Sequence, residues 1–281
     1  MASRIAQTYG LQPRGVLQLG ADEKRFRYLR RLPAADLGVF IEHFWMVSWD
    51  LRGAAPYNAQ TVSHPSVQLA LEEGNSRIYG VVKGRSSRLL EDEGQVFAVK
   101  FRPGGFYPFL KSPLSRLTNR SIALSDLFGS HAQNFQEAVL SLDDGAMKVN
   151  AAENFLRQYM PERDETAVLA GQIVDEICIN REIMTVDDVA ARFDLGKRML
   201  QRMFDQYIGV TPKWVIRVYR LHEIVERLHA DKAARKAVDF AALSQELGYF
   251  DQAHFVKDFK SIIGYTPTEY LRKLRSAAEP D

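Results

Sequence analysis

From about Leu37 to Phe101 apolar and polar residues alternate in short runs, HFWMVSWDL, SVQLALEEG, RIYGVV and QVFAVKF, interrupted by Gly74, Gly80, Gly84 and Gly94. A period of two in runs this short, with glycine between them, predicts the strands and turns of a β-barrel or sandwich. After Ser125 the period lengthens. QNFQEAVLSL and GAMKVNAAENFLRQYM place apolar residues three and four apart, which predicts amphipathic helices at about 132–159. Their apolar stripes have to be buried against the β-rich region or against a second copy of the chain, and a homodimer is the favoured expectation. Tyr159-Met160-Pro161 followed by ERDE predicts a boundary, since Pro161 disfavours helix at its predecessor and the charges are solvated. Two domains follow: 1–163, for sensing or dimerisation, and 164–281.

Beyond the boundary every segment has helical spacing. TVDDVAARF opens with Thr185 as N-cap and Asp188 three residues on, a capping arrangement. In KRMLQRMFDQYIG, Leu200, Met203, Phe204 and Tyr207 form one stripe, and Gly209 suits a left-handed cap. Thr211 and Pro212 then start a long helix that runs to about His229. The series recurs. FDQYIGVTP (Phe204 to Pro212) and FKSIIGYTP (Phe259 to Pro267) share the pattern F-x-x-x-I-G-x-T-P at a separation of 55 residues, and each marks the end of one helix and the start of the next. Before each copy a short helix and a tight turn, at Phe193-Asp194 and at Leu247-Gly248, complete a helix-turn-helix. The offset is 54 for Ala190 and Ser244 but 55 for Phe204 and Phe259, so the second turn holds one extra residue.

Composition narrows the class. With 281 residues, 46% hydrophobic and 26% charged, the chain reads as soluble and globular, and its net charge of +2 decides nothing. Neither a signal peptide nor a membrane helix is expected, because MASRIAQTYGLQPRG and the remainder lack apolar runs of the needed length. The single cysteine, Cys178, excludes an internal disulfide and suits a reducing, cytoplasmic setting. Charge is uneven. Residues 195–275 hold 15 Lys and Arg against 9 Asp and Glu, net +6, whereas 162–194 hold 3 against 9, net −6. Such a run by itself is a solvated face, but its coincidence with the duplicated unit points to nucleic acid.

The stretch GYFDQAHFVKDFKSIIGYTPTEYLR resembles the signature of the AraC/XylS family of bacterial transcription regulators, and the tandem arrangement from about Ala167 to Arg275 resembles its DNA-binding domain. The resemblance implies two recognition helices entering successive major grooves of double-stranded DNA, joined by a long helix, with RNA polymerase as a further partner. Asp194, Gly196 and Ser244 depart from the family's usual Gly, Ser and Ala, which loosens the first turn without removing it. Subtracting the buried stripe leaves Lys197, Arg198, Gln201 and Arg202 facing outward on the first reader. On the second, Phe255, Phe259 and Ile262 match the buried set, leaving Gln252, Ala253, Val256 and Lys257 outward. His254 packs near the turn or meets DNA. Arg suits guanine, Gln suits adenine and Val suits the thymine methyl, so the first copy is expected to specify a G-containing half-site and the second a softer A/T-rich one. Arg217, Arg220, Lys232, Arg235 and Lys236 are candidates for phosphate contact or for solubility.

HPSVQLAL, FRPGGFYPFL and PLSRLTNRSIALSDLFG resemble the cupin-like N-terminal domain of a subset of these regulators, whose ligand is generally unknown. The implied fold class is α+β: a β-barrel with trailing helices, then an all-α domain with two helix-turn-helix units. No cofactor is expected, nor a metal, since His43 and His64 stand apart in sequence. Arg102 suits an anionic effector, with Trp45, His64 and Tyr107 as wall residues; equally, they read as core and as a structural pair. The leading function is a DNA-binding regulator controlled by a small-molecule effector. An enzyme on the β domain and a constitutive DNA binder are the alternatives; no convergent acid, base or metal set supports the enzyme, and Cys178 sits in the stripe of Ile173, Val174 and Ile177, unsuited to alkyl transfer.

Overall fold

The computed structural model describes residues 25–62, 64–233, 238–249 and 251–276. The opening segment judged for a signal peptide, and Arg235 and Lys236, lie outside these residues. The first half forms strands β1 (Phe26–Arg31), β2 (Ile41–Asp50), β3 (Tyr57–Thr61), β4 (Gln68–Leu71), β5 (Arg77–Tyr79), β6 (Ser86–Leu90), β7 (Glu93–Phe101) and β8 (Ser121–Ala123). Six of them make one sheet in the order β1-β2-β7-β4-β5-β8, while among the described residues β3 and β6 pair only with each other, and these pairings are antiparallel. The expected closed barrel is therefore corrected to an open sheet with a two-stranded flap. β1 and β8 end the strand order and do not pair with each other, so the sheet keeps two edges.

Those helices are α3 (His131–Leu140) and α4 (Gly145–Gln158), reached through the short α1 (Tyr107–Leu110) and α2 (Ser125–Phe128). Phe135 and Val139 of α3, with Val149, Ala152 and Leu156 of α4, pack in one cluster with Phe44, Leu69, Leu71, Phe97 and Val99 from the sheet. Both stripes are thus buried within the chain, the first of the two alternatives for them, and they need no second copy to cover them. On the other face Trp49, Val96 and Ala98 pack with Leu90 and with the half-buried Trp45, Tyr57, Ala59 and Ala70, so the flap has an apolar cluster of its own.

The second half continues with α5 (Glu165–Ile179), α6 (Val186–Arg192), α7 (Lys197–Met203), a π-helical turn at Phe204–Ile208, α8 (Pro212–Ala233), α9 (Phe240–Glu246), α10 (Gln252–Ile263) and α11 (Pro267–Ser276). Its core is a single cluster running from Ala170 to Leu274 that also takes in Val62 and Val81 from the first half. Packing therefore crosses the chain boundary between α4 and α5. The FRPGG loop shows how closely. A Cβ on Gly104, whose φ is +81°, would lie 2.4 Å from the Ala167 carbonyl oxygen, and one on Gly171 would lie 2.6 Å from that of Pro103. Only glycine lets this loop and α5 touch backbone to backbone. No described helix is long and apolar enough to cross a membrane.

Candidate nucleic-acid interface

The first helix-turn-helix is built from its caps. Thr185 Oγ1 accepts from the Asp188 amide at 3.2 Å, while Asp188 Oδ2 accepts from the amides of Met184 at 2.8 Å and Thr185 at 2.7 Å. Those donors, the Met184 amide above all, hold the Asp188 carboxyl below its ordinary range. The chain then turns through Asp194, whose φ of +51° is the left-handed geometry expected there, and α7 starts at Gly196 without a side-chain cap. Lys197, Arg198, Gln201 and Arg202 are all exposed, over buried Leu200 and Met203. Lys197 Nζ lies 2.5 Å from Asp187 Oδ1, which keeps this lysine at the edge of the reader. The sequence reading passed over Met199, which is 56% exposed. Its spacing of three from Arg202 places it on the same outward arc.

The second copy repeats the plan with stronger caps. Asp239 accepts from the Ala241 and Ala242 amides, Gly248 turns the chain at φ +73°, and Asp251 caps α10 by accepting from the His254 amide at 2.7 Å. Four residues separate α6 from α7 and five separate α9 from α10, the extra residue that the offset predicts. Phe255, Phe259 and Ile262 are buried as expected. Gln252, Ala253, His254, Lys257 and Lys260 are exposed, whereas Val256 is half-buried and rests partly on the core. Gln252, Ala253, Val256, Lys257 and Lys260 line one shallow depression, so Lys260 continues the exposed face by a turn. His254 Nε2 stands 3.5 Å from Asp258 Oδ2, and its ring lies 5.4 Å from that of Tyr249, at the turn.

The long helix α8 spans 22 residues rather than the expected 18 or so, giving ~33 Å at ~1.5 Å per residue. Two of its arginines are taken up by the fold. Arg217 pairs with the buried Asp258 of α10, and Arg220 donates to the carbonyls of Leu247 at 3.1 Å and Ile183 at 3.3 Å. Arg220 thus fastens the second turn to the segment ahead of the first. Arg217 and Arg220 therefore hold the two copies in place.

The four residues suggested for an effector have different partners in this structure. Trp45 Nε1 donates to Gln68 Oε1 at 3.0 Å on the flap side of the sheet, and Arg102 Nε donates to the Gly38 carbonyl at 2.6 Å. Tyr107 and His64 meet the second half instead: the Tyr107 ring lies 4.4 Å from Tyr207, and the His64 ring 4.6 Å from His222 of α8. An ionisable cluster that sequence spacing could not reveal lies at the same seam. Lys100 Nζ is 3.2 Å from Glu42, whose carboxylate is also 3.5 Å from Arg30 and 3.2 Å from His43. Burial would raise the Glu42 carboxyl, but Lys100, His43 and His64 outweigh it and hold it well below the usual range. Asp175 of α5 faces the same group and is pushed up to about 6, chiefly by burial, with Arg102 and Lys100 opposing. Burial likewise lowers His43 to about 4. Among the described residues no group of three or more His, Cys, Asp or Glu could hold a metal ion.

Residues 189–273, which contain both turns and both outward helices, match a family model described as a helix-turn-helix domain. The second half carries an AraC-type helix-turn-helix domain. Upstream of this AraC-type domain, residues 29–123 match a domain of unknown function, DUF6597. No curated protein matches the chain. Among solved structures, ToxT from Vibrio cholerae O395 is similar at 15% identity, with 89% of this chain and 98% of that chain covered and a TM-score of 0.37. A 1.65 Å structure of ToxT from Vibrio cholerae gives 10% identity, the same 89% and 98% coverage and a TM-score of 0.38. Wild-type ToxT of Vibrio cholerae strain SCE256, bound to an unsaturated fatty acid, gives 13%, 91%, 98% and 0.35. TM-scores this low add nothing to the assignment of either half.

Proposed function

We propose that the chain is a sequence-specific transcription regulator that sets α7 and α10 into two successive major grooves of duplex DNA. The observation that carries this reading is the pair of exposed basic and amide faces on a duplicated scaffold, joined by a helix of ~33 Å, close to the ~34 Å between equivalent grooves. Arg198, Gln201 and Arg202 on α7, and Gln252, Ala253, Val256 and Lys257 on α10, are the base-reading set, with Lys197 and His254 at the borders. Arginine pairs bidentately with guanine, glutamine with adenine, and a methyl group meets thymine. A promoter-bound protein of this kind acts on RNA polymerase in the cytoplasm.

The finer part of the reading is control by a small molecule held in the first half. Its support is the position of Tyr107 and His64 against Tyr207 and His222, through which a change in the β-rich half would be felt by the readers. A homodimer is no longer called for by α3 and α4, whose stripes are already covered. The test is selection of bound sequences from random duplex DNA by the full chain, followed by a salt titration of the winner. Enrichment of a two-part site, and a log-log salt slope of about −0.9 per neutralised phosphate, are expected. Absence of any enriched sequence would sink the proposal.

A further inference from the structure

The first half holds both readers, and it holds them at the same point of the repeated motif. In the first copy the Tyr107 hydroxyl accepts from Gln206 Nε2 at 2.6 Å, and Thr118 Oγ1 donates to the Gly209 carbonyl. The approach is close: a Cβ on Gly209 would lie 2.8 Å from the Leu114 carbonyl oxygen. In the second copy the equivalent glycine, Gly264, sits 55 residues further on. A Cβ there would lie 2.7 Å from Arg85 Cδ, and the guanidinium of Arg85 stands 5.2 Å from the centre of the Tyr265 ring. Tyr265 also donates its hydroxyl proton to Gln60 Oε1 at 3.0 Å. Gln60 lies on β3 and Arg85 directly precedes β6, so the flap grips one copy while the segment 114–118 grips the other.

Both grips fall at the C-terminal ends of the reading helices. Arg198, Gln201, Arg202, Gln252 and Lys257 stay exposed, so the first half leaves the reading faces uncovered. What it adds is a further connection between the copies, beside α8, the shared core and the contacts of Arg217 and Arg220. A connecting helix can still bend and twist between its two ends; a body attached at both ends restricts that freedom. We infer that the first half fixes the distance and rotation between the two readers, with Thr118, Gln60 and Arg85 as positioning residues for the spacing of the two DNA half-sites. The inference rests on the DNA-binding reading above. Its chemistry is rotational: with 10–10.5 base pairs per turn, each added pair moves a half-site by ~3.4 Å and rotates it by about 35°.

The test uses the full chain and the two-part site that it selects, with the half-sites moved one base pair closer or farther. The wild-type chain should lose about tenfold or more on either change, a loss comparable to that of a mismatched base pair. Thr118→Val and the double variant Gln60→Ala/Arg85→Ala should each bind the best-spaced site within about threefold of wild type and lose less than about threefold on the shifted ones. Thr118→Ser, which keeps the hydroxyl, should retain the wild-type spacing profile. Each variant releases a different grip, so loss of fold in one leaves the other to decide. Spacing profiles identical to wild type in the folded variants, free tolerance of spacing by the wild type, or broadening in Thr118→Ser would each overturn the inference. Failure of the wild-type chain to select any sequence would instead overturn the DNA-binding reading itself.

Discussion

The two helix-turn-helix copies share a scaffold and differ in most of what meets solvent. Both end the reading helix on a left-handed glycine, Gly209 at φ +89° and Gly264 at φ +87°, and both restart on Thr-Pro. Yet α7 starts on an uncapped Gly196 and breaks into a π-helical turn after seven residues, whereas α10 starts on a capping Asp251 and runs for twelve. Outward, α7 carries Arg198, Met199, Gln201 and Arg202; α10 carries Gln252, Ala253, Val256, Lys257 and Lys260. Duplication preserved the positions that cannot change without breaking a cap or the core. The outward positions, bound by neither constraint, differ between the copies.

The largest expected effect breaks the anchoring of one copy. Arg217→Ala takes the guanidinium from the buried Asp258 and leaves it the His254 ring 3.5 Å away, and the second copy should lose ~2 to 3 kcal/mol of stability, below the ~3 to 5 of a fully buried pair because Arg217 is 31% exposed and the imidazole remains. Hydrogen exchange should then quicken along 251–263 and not along 197–208; equal quickening in both would show that the copies are one cooperative unit. Next, Arg198→Ala or Arg202→Ala should cost ~1 to 3 kcal/mol of specific binding and relax preference in one half-site only. Relaxation in both halves would break the assignment of one reader to one half-site.

A change outside both readers serves as the control. Asp175 has its carboxyl raised to about 6 from 3.8, so the folded chain binds a proton that the unfolded chain has already released between those values. Stability should therefore fall as pH rises from about 4 to about 6, with the full penalty above that. Asp175→Asn should add ~1 to 2 kcal/mol at neutral pH and nothing below about 4, leaving both half-site preferences as they were. Thermal melts across that range read the effect, and an unchanged pH slope in the variant would refute it. The smallest effects sharpen the contrast. Val256→Ala and Met199→Ala should each cost about 1 kcal/mol or less, one in each half-site, since each removes two or three apolar atoms, at ~0.8 kcal/mol per fully buried CH₂, from a face that is only partly covered. Lys197→Ala should cost ~0 to 1 kcal/mol, because its bridge to Asp187 is exposed at both ends. If Met199→Ala matched Arg198→Ala, apolar contact would have to lead in the first copy too.

Local rules made the second half legible. Thr185 with Asp188, Gly209, Thr211-Pro212 and the stripe of Leu200, Met203 and Phe204 act within one or two helical turns, so their spacing along the chain already states the geometry. Even the extra residue in the second turn could be read from the offset. The strands β3 and β6 were not legible, because YNAQT and SSRLL face solvent on one side and, among the described residues, pair only with each other, leaving no alternation to detect. The fate of Arg217 and Arg220 was equally hidden. A guanidinium at helical spacing looks alike whether its partner is a phosphate or a carboxylate 41 residues away. Sequence by itself determined the duplicated unit, its caps and most of the outward residues of each reader. Tertiary structure alone decided that the sheet stays open, that α3 and α4 spend their apolar stripes on it, and that Thr118, Gln60 and Arg85 reach the two glycine ends. Those outcomes depend on contacts between residues far apart in the chain, whose partners no local period can name.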